Sequence, residues 1–110
     1  MESETLMPKQ TKLFHIGDLH QDADALEQAA NIIRTGGLVA MPTETVYGLG
    51  ANALDPQAVR NIFLAKGRPQ DNPLIIHLES AEQAQRYAQN IPEVYYELCR
   101  RFSPGPLTVI

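Results

Sequence analysis

An α/β fold with helices covering a sheet is predicted by three observations. Short apolar runs of strand length alternate with segments whose apolar residues recur every three to four positions. Capping and stop residues bracket those periodic segments. The 110 residues are 44% hydrophobic and 20% charged, which excludes a disordered, fibrous or membrane-spanning chain on composition. A chain of this length buries roughly two thirds of its unfolded surface, enough for one small core, so one domain or part of one is expected.

The elements follow in order. Residues 1–21 are polar and aperiodic and read as an N-terminal tail, with an edge strand around residues 12–16. From Asp22, Ala23, Leu26, Ala29, Ala30 and Ile33 form one helical stripe, with Asp22 or Asp24 as the cap and Gly36-Gly37 as the stop. Leu38-Val39-Ala40-Met41, ended by Pro42, predicts a strand buried on both faces. A second helix is marked by Asp55 at the cap, Pro56 in the first turn, a stripe of Val59, Ile62 and Phe63, and Gly67 after Lys66. Leu74-Ile75-Ile76-His77-Leu78 reads as a strand. Ser80 with Gln83 is a capping-box pattern opening a third helix. A fourth helix runs from Pro92 to about Arg101, Ser103-Pro104-Gly105-Pro106 is a turn, and Leu107-Thr108-Val109-Ile110 begins a strand. An apolar strand that stops at the last residue leaves an unpaired edge, so residues 22–110 are expected to be the N-terminal portion of a larger domain, truncated at its C-terminus.

Nine Lys and Arg against 13 Asp and Glu give a net charge of -4, so any nucleotide or nucleic-acid binding must come from a local cluster of cations rather than the field of the whole chain. The single Cys99 can form no internal disulfide and no zinc knuckle, and a helical position beside Tyr95 and Leu98 makes it a buried structural thiol. A reducing compartment follows, and the sequence before Lys12 lacks the apolar stretch of a secretory signal; the expected location is cytoplasmic, with no membrane partner.

The chemistry concentrates in two loops. Pro42-Thr43-Glu44-Thr45-Val46-Tyr47-Gly48 follows a strand, where α/β proteins place ligand loops. If it runs extended, the hydroxyls of Thr43, Thr45 and Tyr47 point to one side and suit a small polar ligand; the alternative is that such hydroxyls bond their own backbone. Lys66-Gly67-Arg68-Pro69-Gln70-Asp71-Asn72-Pro73 places two cations two residues apart at a helix end, before a proline-bounded loop. Arg68 can grip phosphate oxygens as a fork, Lys66 can act as a point charge and Asn72 adds a neutral donor and acceptor. The bland reading is that Lys66 only complements the negative end of its own helix and Arg68 is solvated. His77 shares a strand face with Ile75 and Glu79, as a ligand or as a half-buried structural residue. Gly48 to Ala53 matches the dinucleotide fingerprint formally, but the following helix starts only at Pro56, so that site is set aside. There is no Walker loop and no Ser/His/Asp arrangement, and His15 and His20 do not have a zinc spacing, so no metal ligand is expected.

The string from Gly37 through Pro42-Thr43-Glu44-Thr45-Val46-Tyr47-Gly48-Leu49-Gly50, then Lys66-Gly67-Arg68-Pro69 and Asn72-Pro73-Leu74-Ile75-Ile76-His77, closely resembles the YrdC-like domain family, nearest its threonylcarbamoyl-AMP synthases. The likeness covers residues 22–110, including Ser103-Pro104-Gly105-Pro106-Leu107-Thr108. It implies a twisted mixed sheet with helices packed on it. It also implies a nucleotidyltransferase that makes threonylcarbamoyl-AMP and pyrophosphate from L-threonine, bicarbonate or CO2, and ATP, with Mg2+ accompanying the triphosphate. A tRNA-modifying transferase complex then takes the threonylcarbamoyl group.

Carried over by motif, Lys66 and Arg68 are the catalytic pair, and both contact ATP with Asn72. Thr45 and His77 contact threonine, with Thr43 and Tyr47 lining the same pocket. The family's later Ser-x-Asn motif does not occur in these 110 residues, which puts the activity of this stretch alone in doubt. A second reading, an RNA-binding module without catalysis, draws on the family's concave basic surface, and the acidic balance stands against it. A third, the carbamoyl-transfer domain of a hydrogenase-maturation protein, lacks the zinc-finger or acylphosphatase sequence expected before Asp22.

Overall fold

The computed structural model describes residues 10–67 and 74–110. Its elements are α1 (Ala23–Arg34), β1 (Val39–Met41), β2 (Gly48–Gly50), α2 (Pro56–Lys66), a 3-10 helix (Ala81–Arg86) and α3 (Glu93–Phe102).

The helices form where local chemistry demands them. Asp55 caps α2, its Oδ1 accepting from the backbone N–H of Gln57 at 3.0 Å and of Ala58 at 3.2 Å, and Pro56 takes the first position where no donor is missed. Gly67 ends α2 in the left-handed region at φ 65°, which a side chain would resist. Asp22 stands at the N-cap of α1, as the sequence reading offers, but its side chain makes no bond into the helix. In the turn before it, Asp18 Oδ1 accepts from the N–H groups of His20 and Gln21. Asp22 reaches back to accept from Gly17 and Asp18. The two acids thus satisfy each other's turn, as a capping box does. At the other end the Gly36 N–H bonds the Ile33 carbonyl and the Gly37 N–H the Ile32 carbonyl, with Gly36 at φ 96°, so the Gly-Gly stop closes as a Schellman motif.

β1 and β2 form an antiparallel two-stranded sheet in which Val39 faces Gly50, Ala40 faces Leu49 and Met41 faces Gly48. Burial of β1 on both faces is overturned: Val39 is half-buried, while Ala40 and Met41 are exposed, although α1 touches the strand. Residues 12–16, 74–78 and 107–110 carry strand patterns but join no ladder. A strand is completed by a partner's hydrogen bonds, and none of the described residues supplies one. The capping-box pattern at Ser80 opens a 3-10 helix instead of an α-helix. The Ser80 side chain makes no cap bond there, while Gln83 Oε1 accepts from the Glu79 N–H at 2.8 Å.

The core is small. Ala58, Ile62 and Phe63, on one face of α2, are 1%, 6% and 6% exposed, and Ala84 of the 3-10 helix joins them in the buried class. Burial of Ile62 and of Phe63 contributes about 1.5–3 kcal/mol each. The surface is correspondingly large, at 9507 Å², against roughly 6,100 Å² for a compact chain of this mass. The radius of gyration is 16.4 Å, where about 13 Å is usual. Cys99, expected to be buried, is half-buried on α3.

Candidate functional site

Pro42 ends β1, and residues 42–47 carry the chain across to β2 as the loop of a hairpin. The loop bends at residues 44–46, so the side-to-side alternation expected of an extended segment does not hold. The bend has a local cause. Thr43 Oγ1 donates to the Val46 carbonyl and accepts from the Thr45 N–H at 3.3 Å, a hydroxyl standing in for a backbone turn. One of the three hydroxyls is therefore committed to the loop itself. Thr45 and Tyr47 stand in solvent, Tyr47 76% exposed.

Gly48, the first residue of β2, lies against this turn: a Cβ there would sit 3.3 Å from Thr43 Cγ2. Sequence reading missed this pairing. The signal that could have found it is the Thr-x-Thr spacing, which favours a side-chain turn over an extended run.

Lys66 is an exposed residue in the last turn of α2, directly before the left-handed Gly67. The ion pairs among the described residues are Arg34 with Glu27 and the fork of Glu97 to Arg100 and Arg101, and none involves Lys66. His77 is exposed in the unpaired segment 74–78, which removes the half-buried structural reading for it. Arg68 and Asn72 lie outside the described residues. The structure thus bonds Thr43 to Thr45, while Tyr47, Lys66 and His77 make no side-chain hydrogen bond among the described residues.

Two hollows lie elsewhere. One, of about 280 Å³, is between the N-terminal segment and α1 at Lys12, Phe14 and Asn31; another, of about 370 Å³, lies against Leu38, Asn61 and Leu64. Neither is lined by Thr43, Thr45, Tyr47, Lys66 or His77. Among the described residues no group of three or more His, Cys, Asp or Glu side chains is placed to hold a metal ion. No helix among them is long and apolar enough to cross a membrane.

Comparison with known proteins defines the class. The Sua5/YciO/YrdC family model, described as "Telomere recombination", matches residues 31–110, and the chain belongs to this family. Among its relatives, the threonylcarbamoyl-AMP synthase of Pyrococcus abyssi is 65% identical over 82 residues, which cover 74% of this chain and 24% of that protein. That of Bacillus subtilis is 47% identical over 93 residues, 84% of this chain and 27% of that protein. A crystal structure of P. abyssi Sua5 complexed with L-threonine superposes with a TM-score of 0.70 at 63% identity, covering 74% of this chain and 24% of that one. The chain therefore spans about a quarter of the length of these relatives.

Proposed function

We propose that this chain serves a threonylcarbamoyl-AMP synthase. The observation that carries the reading is the 65% identity to the P. abyssi synthase over three quarters of the chain. The threonine amine adds to CO2, releasing a proton, or to bicarbonate, releasing water, to give a carbamate. A carbamate oxygen then attacks the α-phosphorus of ATP, the bond from that phosphorus to the bridging oxygen breaks, and pyrophosphate leaves.

Two anions must be brought together and a third neutralised as it departs, so the protein's task is positioning and electrostatics. Orientation supplies on the order of 7–11 kcal/mol in such reactions, and one well-aimed donor roughly 3–4 kcal/mol. In this reading Arg68 forks onto phosphate oxygens, Lys66 adds a point charge, and Asn72 bonds the nucleotide. Thr45 and His77 hold threonine, with Tyr47 and Thr43 in the same pocket. Mg2+ is assigned to the triphosphate rather than to a protein cage, in keeping with its habit of binding through phosphates and water.

The wider twisted mixed sheet belongs to this proposal too, with the β1–β2 hairpin as one part and the unpaired segments 74–78 and 107–110 as further strands. So do residues 22–110 as one portion of a YrdC-like domain, a cytoplasmic location, and delivery of the product to a tRNA-modifying complex.

The test is pyrophosphate release by the full chain, which should require threonine, bicarbonate and ATP together. Release with ATP alone, or a salt-dependent shift with RNA and no response to ATP, overturns the reading.

A further inference from the structure

Resting on the synthase reading, we propose that Thr43 is a positioning residue: its hydroxyl fixes the bend of the hairpin loop so that Thr45 is presented to the substrate, with its methyl group as a lesser contact against Gly48. The hydroxyl donates to the Val46 carbonyl and accepts from the Thr45 N–H, so it ties together two backbone groups within the bend. The methyl lies where a Cβ on Gly48 would be 3.3 Å away, so it packs over the bare α-carbon that opens β2. Loop and strand are thereby joined by one β-branched polar side chain. Thr45 inherits its placement from its own N–H bond to Thr43, while its hydroxyl stays exposed for a ligand. Residues 42–47 are all exposed, so among the described residues these contacts are what shapes the loop.

A hydroxyl at this position can touch the substrate or shape the loop, and two substitutions separate these roles. Thr43→Val keeps the methyl and removes donor and acceptor, whereas Thr43→Ser keeps the hydrogen bonds and removes the methyl. Amide hydrogen exchange in the substrate-free full chain reads the loop directly. Thr43→Val should raise exchange at Thr45 about tenfold, the order expected for one lost hydrogen bond. Thr43→Ser should leave it within about threefold of wild type.

In steady state, Thr43→Val should raise KM for threonine about tenfold, with KM for ATP unchanged, and Thr43→Ser should restore it. Unchanged Thr45 exchange in Thr43→Val, or equal rises in both KM values, overturns the positioning role. A wild-type chain that releases no pyrophosphate under any substrate combination instead overturns the synthase reading, and the exchange measurement still reports whether Thr43 holds the loop.

Discussion

The Tyr95 hydroxyl donates to the Ala81 carbonyl at 3.1 Å, tying α3 to the first residue of the 3-10 helix fourteen positions earlier. Tyr96 packs edge-on against Tyr95 with ring centroids 5.0 Å apart, and its own hydroxyl accepts from Gln85 at 3.2 Å. This polar clasp holds two elements whose apolar contact is small. Tyr95→Phe should therefore cost about 1 kcal/mol, seen as a lower midpoint in urea unfolding. Burial first, and the neighbouring Cys99 second, raise the Tyr95 hydroxyl above the ordinary phenol value of 10.0, so its spectrophotometric titration should lag behind that of a free tyrosine.

Removal of the Asp55 carboxylate leaves the N–H groups of Gln57 and Ala58 without their partner. Asp55→Ala should destabilise the protein by about 1 kcal/mol, while Asp55→Asn, which keeps an acceptor oxygen, should stay close to wild type in thermal unfolding.

Gly67 at φ 65° separates Lys66 from Arg68, and a Cβ there would meet nothing within 4 Å. The penalty for Gly67→Ala is thus conformational alone, about 1 kcal/mol. Any release of that strain re-aims the chain between the two cations. Pyrophosphate release should fall more than the change in melting temperature accounts for, and equal activity in the two proteins would contradict the cation-pair assignment.

Substitution of either cation tests the charge argument itself. Arg68→Ala should abolish measurable pyrophosphate release with little change in melting temperature. Lys66→Ala should slow release by about 10²–10³-fold, the scale of one lost transition-state donor. The stability effect at Lys66 should stay within about 1 kcal/mol, the scale of a cation at a helix C-terminus.

Acid should loosen the start of α1. Backbone N–H groups of Gln21 and His20 hold Asp18 below its usual carboxylate value of 3.8, and those of Asp18 and Gly17 do the same for Asp22. A depressed folded-state value contributes stability that is present above the unfolded value and is lost as pH falls through the folded one. Helical circular dichroism should therefore decline only below about pH 4, the range set by an unperturbed carboxylate. Asp22→Asn should flatten part of that decline.

How much of this was legible in sequence depended on the range of the forces involved. Asp55, Pro56 and Gly67 bound α2 through hydrogen bonds and dihedral preferences spanning a few residues, and these signals place the helix correctly. Gly36 and Gly37 end α1 for the same reason. At the start of α1 the cap position of Asp22 was readable, but not that its carboxylate turns back to the N–H groups of Gly17 and Asp18 instead of into the helix. In the site, the spacing of Lys66, Thr43, Thr45, Tyr47 and His77 was readable and the fate of each hydroxyl was not.

The sequence by itself determined α1, α2 and α3, the apolar run that becomes β1, and the residue types offered to a substrate, because these follow from local backbone chemistry and composition. Tertiary structure decided which apolar runs pair: Val39–Met41 found a partner in Gly48–Gly50, while residues 74–78 found none among those described. It also decided that Thr43 turns inward onto Val46 while Thr45 stays open to solvent. A strand's ladder and a loop's bend are completed by atoms brought in from elsewhere along the chain, and residue pattern alone does not specify which atoms those are.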